Sequence, residues 1–438
     1  MTSSNNRNCM QPAKIPPLIH PMDVQEQPLP VVHSLPNGIP LYSISGDGKP
    51  ALRLEILFKG GYGVQDKPLQ ATVTNRMLRE GAAGMTGQEI SQKLDYYGAW
   101  IETYSSQNCN HLVLYSLSKH FLPLVKLLED IVKAPTFPEE NLEVVKNNGK
   151  ACFEVNSQKV DIVSQRYFEN SLWGKEHPLA HIVEPADYDA ITVDDVKSYY
   201  QKVYNSVNCV IFLSGELTDE IYGGLSDSFG NGCWGVRNAM DRCSVQPAVT
   251  EYGKRYIPVA NSIQSAVKIG FMAMDASHDD FHAFRFLSVL LGGYFGSRLM
   301  SNIREENGYT YHISSEVDAY GGRNAFMISS ETANEYVRPC IDEIYKEIER
   351  LYTEPIPEAE VEHVRNYILG EMCRECEEMT PKAEVFVNAW LSGNEPSSVN
   401  DYLKVVKNVT AEELSAVARR WFAGERPVIE IVAGAVEP

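Results

Sequence analysis

The apolar and polar positions of this chain sort into the same succession of elements twice. In the first pass, strands are expected near 30–45 and 51–60, helices near 68–80 and 87–97, and a strand pair across 98–117. Helices follow near 119–133, 138–172 and 192–204, and the apolar run from Val207 to Gly215 (VNCVIFLSG) reads as a strand. In the second pass, a strand is expected at 265–273, helices near 279–292 and 297–307, and a strand pair across 310–332. Helices at 335–351, 357–378, 381–393 and 410–421 then lead to a last strand at 427–433. Between the passes, the stretch 231–257 carries Gly and Pro with little periodicity and reads as a linker.

Local sequence supports a duplication. Phe137 to Lys146 (FPEENLEVVK) resembles Ile356 to Arg365 (IPEAEVEHVR), with Pro357 standing 219 residues after Pro138. Each copy places proline and acids where a helix should begin, because the first turn has spare N–H groups and a positive dipole end. Ile191 to Val196 (ITVDDV) matches Val409 to Leu414 (VTAEEL), with Thr410 218 residues after Thr192. Both threonines are natural N-caps with an acid three residues on, close to a capping box. Each of these helices leads into an apolar strand, and Val428 follows Cys209 by 219 residues. The expected fold is therefore α+β: two homologous domains, each a mostly antiparallel sheet with helices packed on one face. The expected boundaries are a tail at 1–29, a first domain at 30–230, the linker at 231–257 and a second domain at 258–438.

Composition narrows the partners. The chain has 438 residues, 44% of them hydrophobic and 22% charged, which is ordinary globular composition. Its formal net charge of -19 repels phosphate backbones and anionic lipid heads, so neither nucleic acid nor a membrane is an expected partner. No apolar run is long enough to span a bilayer. The N-terminus is polar and proline-rich without a basic-then-apolar pattern, so it reads as a mobile tail rather than a secretory signal. The nine cysteines (Cys9, Cys109, Cys152, Cys209, Cys233, Cys243, Cys340, Cys373 and Cys376) are odd in number and scattered. That scatter suits a reducing compartment, and cytoplasm is the expected location.

Several candidate chemistries have plain structural alternatives. His278 and His282 stand at i and i+4, a spacing that can chelate zinc from one helix face, but Phe281 occupies the place where a carboxylate base would be needed. Cys373 and Cys376 form a lone C-x-x-C inside an expected helix and read as reduced packing residues. Leu291 to Ser297 (LGGYFGS) lacks the G-K-[ST] ending of a phosphate loop and reads as a helical joint needing close backbone approach. His177 and His181 lie in a loop without an acid at ligand spacing beside them, and no G-x-S-x-G elbow is present. Ile303 to Tyr311 (IREENGYTY) differs from these. A helix ends near Asn307-Gly308 and a strand follows, so Arg304 and Tyr311 sit on rigid elements that could hold guanidinium and phenol together over a developing oxyanion.

These segments also carry a resemblance. Leu35-Pro36-Asn37-Gly38-Ile39, Phe58-Lys59-Gly60-Gly61, Gly292 to Leu299 (GGYFGSRL) and Ile303 to Tyr311 are similar to motifs of the pitrilysin/insulinase-type peptidases, which include the mitochondrial processing peptidases. The resemblance covers the chain from about residue 30 to the end, and the seven-residue spacing of Arg304 and Tyr311 is its most specific part. Active members bind zinc through H-x-x-E-H on the helix after the second strand, plus a glutamate about seventy residues later. Here the ligand positions fall on Thr72 and Arg76, the base position on Asn75, and the later glutamate position near Asn148. A guanidinium, a hydroxyl and two amides are poor zinc donors, so no metal is expected in this chain.

The resemblance implies a subunit that is inactive alone. It would supply Arg304 and Tyr311 to a homologous zinc-bearing partner for endoproteolysis of unfolded peptides. The zinc is then expected in that partner, with a homodimer possible when the chain is isolated. Two other readings stand beside this one: a purely structural or peptide-binding subunit, and an independent metalloenzyme built on His278 and His282.

Overall fold

The computed structural model describes residues 24–45, 48–241, 249–320, 323–435 and 437. Residues 1–23 of the expected tail, with Cys9, and residues 242–248 of the expected linker, with Cys243, lie outside the described residues.

The first half runs β1 (Val31–Ser34), β2 (Pro40–Ile44), β3 (Ala51–Lys59), α1 (Gln70–Met77), β4 (Gly81–Ala82), β5 (Met85–Thr86), α2 (Gly87–Tyr97), β6 (Trp100–Ser105) and β7 (Cys109–Leu117). It continues through α3 (Phe121–Lys133), α4 (Glu139–Asn156), α5 (Val160–Trp173), α6 (Pro185–Ala190), α7 (Val193–Val203), β8 (Cys209–Ser214) and α8 (Asp219–Leu225). The second half has β9 (Gly253–Pro258), β10 (Gln264–Met272), α9 (Phe281–Ser288), β11 (Thr310–Tyr320) and β12 (Arg323–Ala333). Then follow α10 (Val337–Thr353), α11 (Glu358–Glu377), α12 (Met379–Leu391), α13 (Ser398–Asn408), α14 (Ala411–Phe422) and β13 (Ile429–Gly434).

The duplication is topological as well as sequential. The first sheet has the order β1-β2-β8-β3-β7-β6 and the second β11-β12-β10-β13-β9. Read from the opposite edge, the second sheet repeats β2-β8-β3-β7-β6 strand for strand. Each contains one parallel pair, β2 with β8 and β13 with β9, in an otherwise antiparallel sheet. The matching helices start alike: Pro138 and Pro357 precede α4 and α11, and Thr192 and Thr410 close capping boxes on α7 and α14.

Several elements depart from the sequence expectation, which also held no helix at α6, α8 or α13. The helix expected over 138–172 breaks at Ser157–Lys159, where Ser157 Oγ donates to the Phe153 carbonyl at 2.7 Å. The stretch read as linker contains β9, whose polar Gly-Lys-Arg start hid an edge strand. The expected helix over 279–292 ends as α9 at Ser288 and continues as a π-helical turn, Val289–Gly293; the next one is a π-helical turn, Met300–Glu306. Gly292 does sit where close approach is required, since a Cβ there would meet the Ser315 backbone nitrogen at 2.6 Å.

Each half has its own core between sheet and helices. The opposite face of each sheet is covered by a helix from the other half. Phe168, Leu172 and Trp173 of α5 pack with Met272, Met327, Ile429 and Ile431 of the second sheet. Reciprocally, Ala383, Phe386, Val387 and Trp390 of α12 pack with Leu57, Val210 and Phe212 of the first. That double coverage explains why β8 and β13 are buried at every position rather than alternating. Residues 24–29 of the expected tail also reach the second half: Val24 is in its core, and the Gln27 backbone exchanges two hydrogen bonds with the Asn400 side chain. Among the described residues no helix is long and apolar enough to cross a membrane.

Candidate functional site

The helix that carries the family-like metal positions is α1. Asn75, at the base position, is 1% exposed. Its amide donates to the carbonyls of Tyr104 at 2.7 Å and His111 at 3.1 Å, and its oxygen accepts the Tyr204 hydroxyl at 3.0 Å. The side chain thus fastens α1 to β6, β7 and the end of α7, and every atom that could act as a base is spent on packing. Arg76 and Asn148 are exposed and Thr72 is half-buried. A neutral hydroxyl, two amides and a guanidinium do not fit Zn²⁺, which needs neutral imidazole or anionic donors. Among the described residues no cluster of three or more His, Cys, Asp or Glu side chains is placed to hold a metal ion.

A cavity of about 270 Å³ lies beside Thr72, between α1, α4, α5 and α6. The Arg166 guanidinium enters it stacked 4.8 Å from the Phe153 ring centroid. Tyr188 lines it too, its ring seated over Gly149, where a Cβ would come within 2.4 Å of Cε1. Tyr62 and Glu169 line both this cavity and a second one of about 600 Å³ between the halves. Gln165 and Asp318 are shared in turn with a groove of about 650 Å³ over the second sheet. A polar cleft therefore runs from Thr72 past Glu169 and Asp318 to Tyr311. Along it, burial pushes the Glu169, Asp318 and Glu316 carboxyls up from their ordinary range. Lys268, bonded to Asp161 at 2.9 Å and Ser329 at 2.8 Å, partly offsets this.

Tyr311 stands at the far end of the groove, 86% exposed. Its position is set by a bulge: Thr310 pairs with Thr332 and His312 with Glu331, leaving Tyr311 unpaired between them. The Thr310 hydroxyl accepts the His312 N–H at 3.1 Å and so closes the bulge. Arg304 lies in the Met300–Glu306 turn, where Asn307 N–H reaches the Asn302 carbonyl and Tyr309 N–H the Ile303 carbonyl. Its guanidinium stacks 4.6 Å from the Phe295 centroid. Neither side chain has a hydrogen-bond partner among the described residues, so no hydrogen bond joins the guanidinium and the phenol. The wide turn aims Arg304 at Phe295, whereas the bulge aims Tyr311 into solvent.

The remaining candidates resolve as structure. Because α9 begins at Phe281, His278 precedes the helix, accepting the Asp280 N–H at 3.0 Å and packing edge-on against Trp421. His282 faces Tyr402, its ring nitrogen Nδ1 buried without a partner, and burial lowers its pKa to about 4. Cys373 and Cys376 lie half-buried on α11, and no disulfide joins described cysteines. His177 stacks on Trp173, and His181 does find an acid, Asp187 at 2.8 Å, brought round by α6. Sequence reading missed Arg166, Glu169 and Tyr188. Its one available signal was Gly149 in mid-helix beside Asn148, a residue that weakens a helix unless something must pack closely there.

Comparison with known proteins agrees with the fold. Residues 190–368 match the family model described as the peptidase M16 inactive domain. A relative named as an uncharacterized zinc protease, YmxG of Bacillus subtilis, is 18% identical over 348 residues, covering 79% of this chain and 84% of that protein. A relative named as a non-peptidase homolog, YmxG of Helicobacter pylori, is 22% identical over 276 residues, covering 59% of this chain and 60% of that protein. The crystal structure of a peptidase M16 inactive domain from Pseudomonas fluorescens superimposes with a TM-score of 0.82 at 23% identity, covering 93% of this chain and 98% of that one.

Proposed function

We propose that the chain is a member of the peptidase M16 family, the pitrilysin/insulinase-type proteins its motifs resemble, and the non-hydrolytic subunit of a two-chain zinc endopeptidase. The observation that carries this is the contrast between two positions of one cleft. At one end Asn75 is locked into the core; at the other Tyr311 is held out by a bulge with no partner of its own. Bulges and π-helical turns recur where a side chain must be re-aimed for function, and here one precedes Tyr311 and the other carries Arg304. Tyr311 is the hydrogen-bond donor for the oxyanion at a partner's zinc, and Arg304 the anchor for the peptide backbone. Strand β11 is an edge, so an unfolded peptide can extend the second sheet by pairing with it. The zinc belongs to a homologous partner subunit, and cytoplasm remains the proposed location.

A second reading, a structural or peptide-holding subunit, draws on one observation: Arg304 lies on Phe295, outside the groove lining. Mixing the chain with a homologous subunit that retains H-x-x-E-H tests the assembly itself. The expected result is cleavage of an unfolded peptide by the pair with one zinc per pair, and none by this chain alone. Cleavage by the zinc-bearing subunit that is unaffected by this chain would overturn the proposal.

A further inference from the structure

The cavity beside Thr72 is polarised. At one end the Arg166 guanidinium lies over the Phe153 ring and has no hydrogen-bond or ion-pair partner among the described residues. Its charge and that of Arg76 both bear on the Tyr188 phenol, so two cations flank this end in a chain of net charge -19. At the other end Glu169, one helical turn along α5, receives the Gln165 amide at 2.9 Å and faces the Tyr62 phenol. The contact with Phe153 holds Arg166 at the cavity wall, and a guanidinium with no partner among the described residues can take a carboxylate by two parallel hydrogen bonds. Residues three apart on a helix rise by about 4.5 Å, which is the scale of a single amino-acid residue. Thr72, whose hydroxyl is a second possible donor, lines the same space.

We propose that this cavity, which Thr72 lines, binds the α-carboxylate end of a peptide. The carboxylate lies on Arg166, with Thr72 and Tyr188 donating to it, and the amide N–H of the terminal residue points to Glu169. The cavity volume of about 270 Å³ admits one terminal side chain, which rests against Phe153. In this arrangement the cavity is a product-type or peptide-end receptor. The site lies wholly within one chain, so it is independent of any partner's zinc and of Tyr311.

The test is isothermal titration of the full chain, alone, with acetyl-alanyl-leucine as free acid and as C-terminal amide, and with free leucine. Saturable binding of the acid, at least about tenfold weaker for the amide, is the expected result. Competition by free leucine as strong as by the peptide acid would identify the amino acid as the ligand of the same α-carboxylate chemistry; weak competition identifies the peptide end. Arg166→Met should weaken acid binding at least about tenfold, while Arg166→Lys, which keeps charge and stem, should restore part of it. The acid–amide comparison on the unaltered chain keeps the test valid should a variant fold poorly. No saturable binding of the acid at millimolar concentration, equal binding of the amide, or an Arg166→Met variant that folds and binds normally would overturn the assignment.

Discussion

Asn75 shows how a single residue closes one chemistry and secures another property. A glutamate in its place could accept protons but could not donate to the Tyr104 and His111 carbonyls, both of which Asn75 bonds. The replacement at this position was legible in the sequence; its packing role was not, because Tyr104, His111 and Tyr204 come from 29 to 129 residues away. His282 gives the residue-scale prediction. Burial and the Arg285 charge lower its pKa from 6.5 to about 4, against an opposing pull from Asp401. The unfolded chain therefore binds the proton more readily, so this group's contribution to stability is full above pH 6.5 and is lost as pH falls toward 4. In chemical denaturation, the stability difference between pH 7 and pH 5 should be smaller in His282→Gln than in the natural chain. An equal difference would show that His282 does not titrate as its burial requires.

At the scale of elements, the break at Ser157–Lys159 matters more than any predicted helix. It frees α5 to leave its own half and cover the second sheet, as α12 covers the first. The hydrophobic pattern foretold most of these elements and their order but not the crossing, since an apolar helix face does not say which sheet it will meet. The π-helical turn at Met300–Glu306 and the bulge at Tyr311 were equally hidden: each inserts a residue into a regular ladder without altering the apolar pattern. Trp390, buried on α12 against Phe212 at a ring distance of 6.0 Å, tests the crossing. Trp390→Ala should cost about 3–5 kcal/mol in urea denaturation, the range for removing a buried aromatic. A loss below about 1 kcal/mol would mean α12 is not seated on the first sheet.

As a whole molecule, the chain is one α+β unit used twice, with the two sheets joined by exchanged helices and a polar cleft left between them. The duplication was readable from spacing, whereas the replaced metal positions and the Arg304/Tyr311 motif were readable only through the family resemblance. What the sequence could not convey is that one cleft joins Thr72 to Tyr311 within one chain, and that Tyr311 reaches into solvent while Arg304 lies on Phe295. The outward presentation of Tyr311, 86% exposed, is the feature on which the proposed second subunit rests. The central claim is tested most directly by the turnover of a reconstituted pair in which only Tyr311→Phe is changed. Loss of one oxyanion donor is worth roughly 2.7–4 kcal/mol, so kcat should fall about 10²- to 10³-fold with KM little altered; unchanged kcat in a correctly assembled pair would contradict the account and leave the chain a structural subunit.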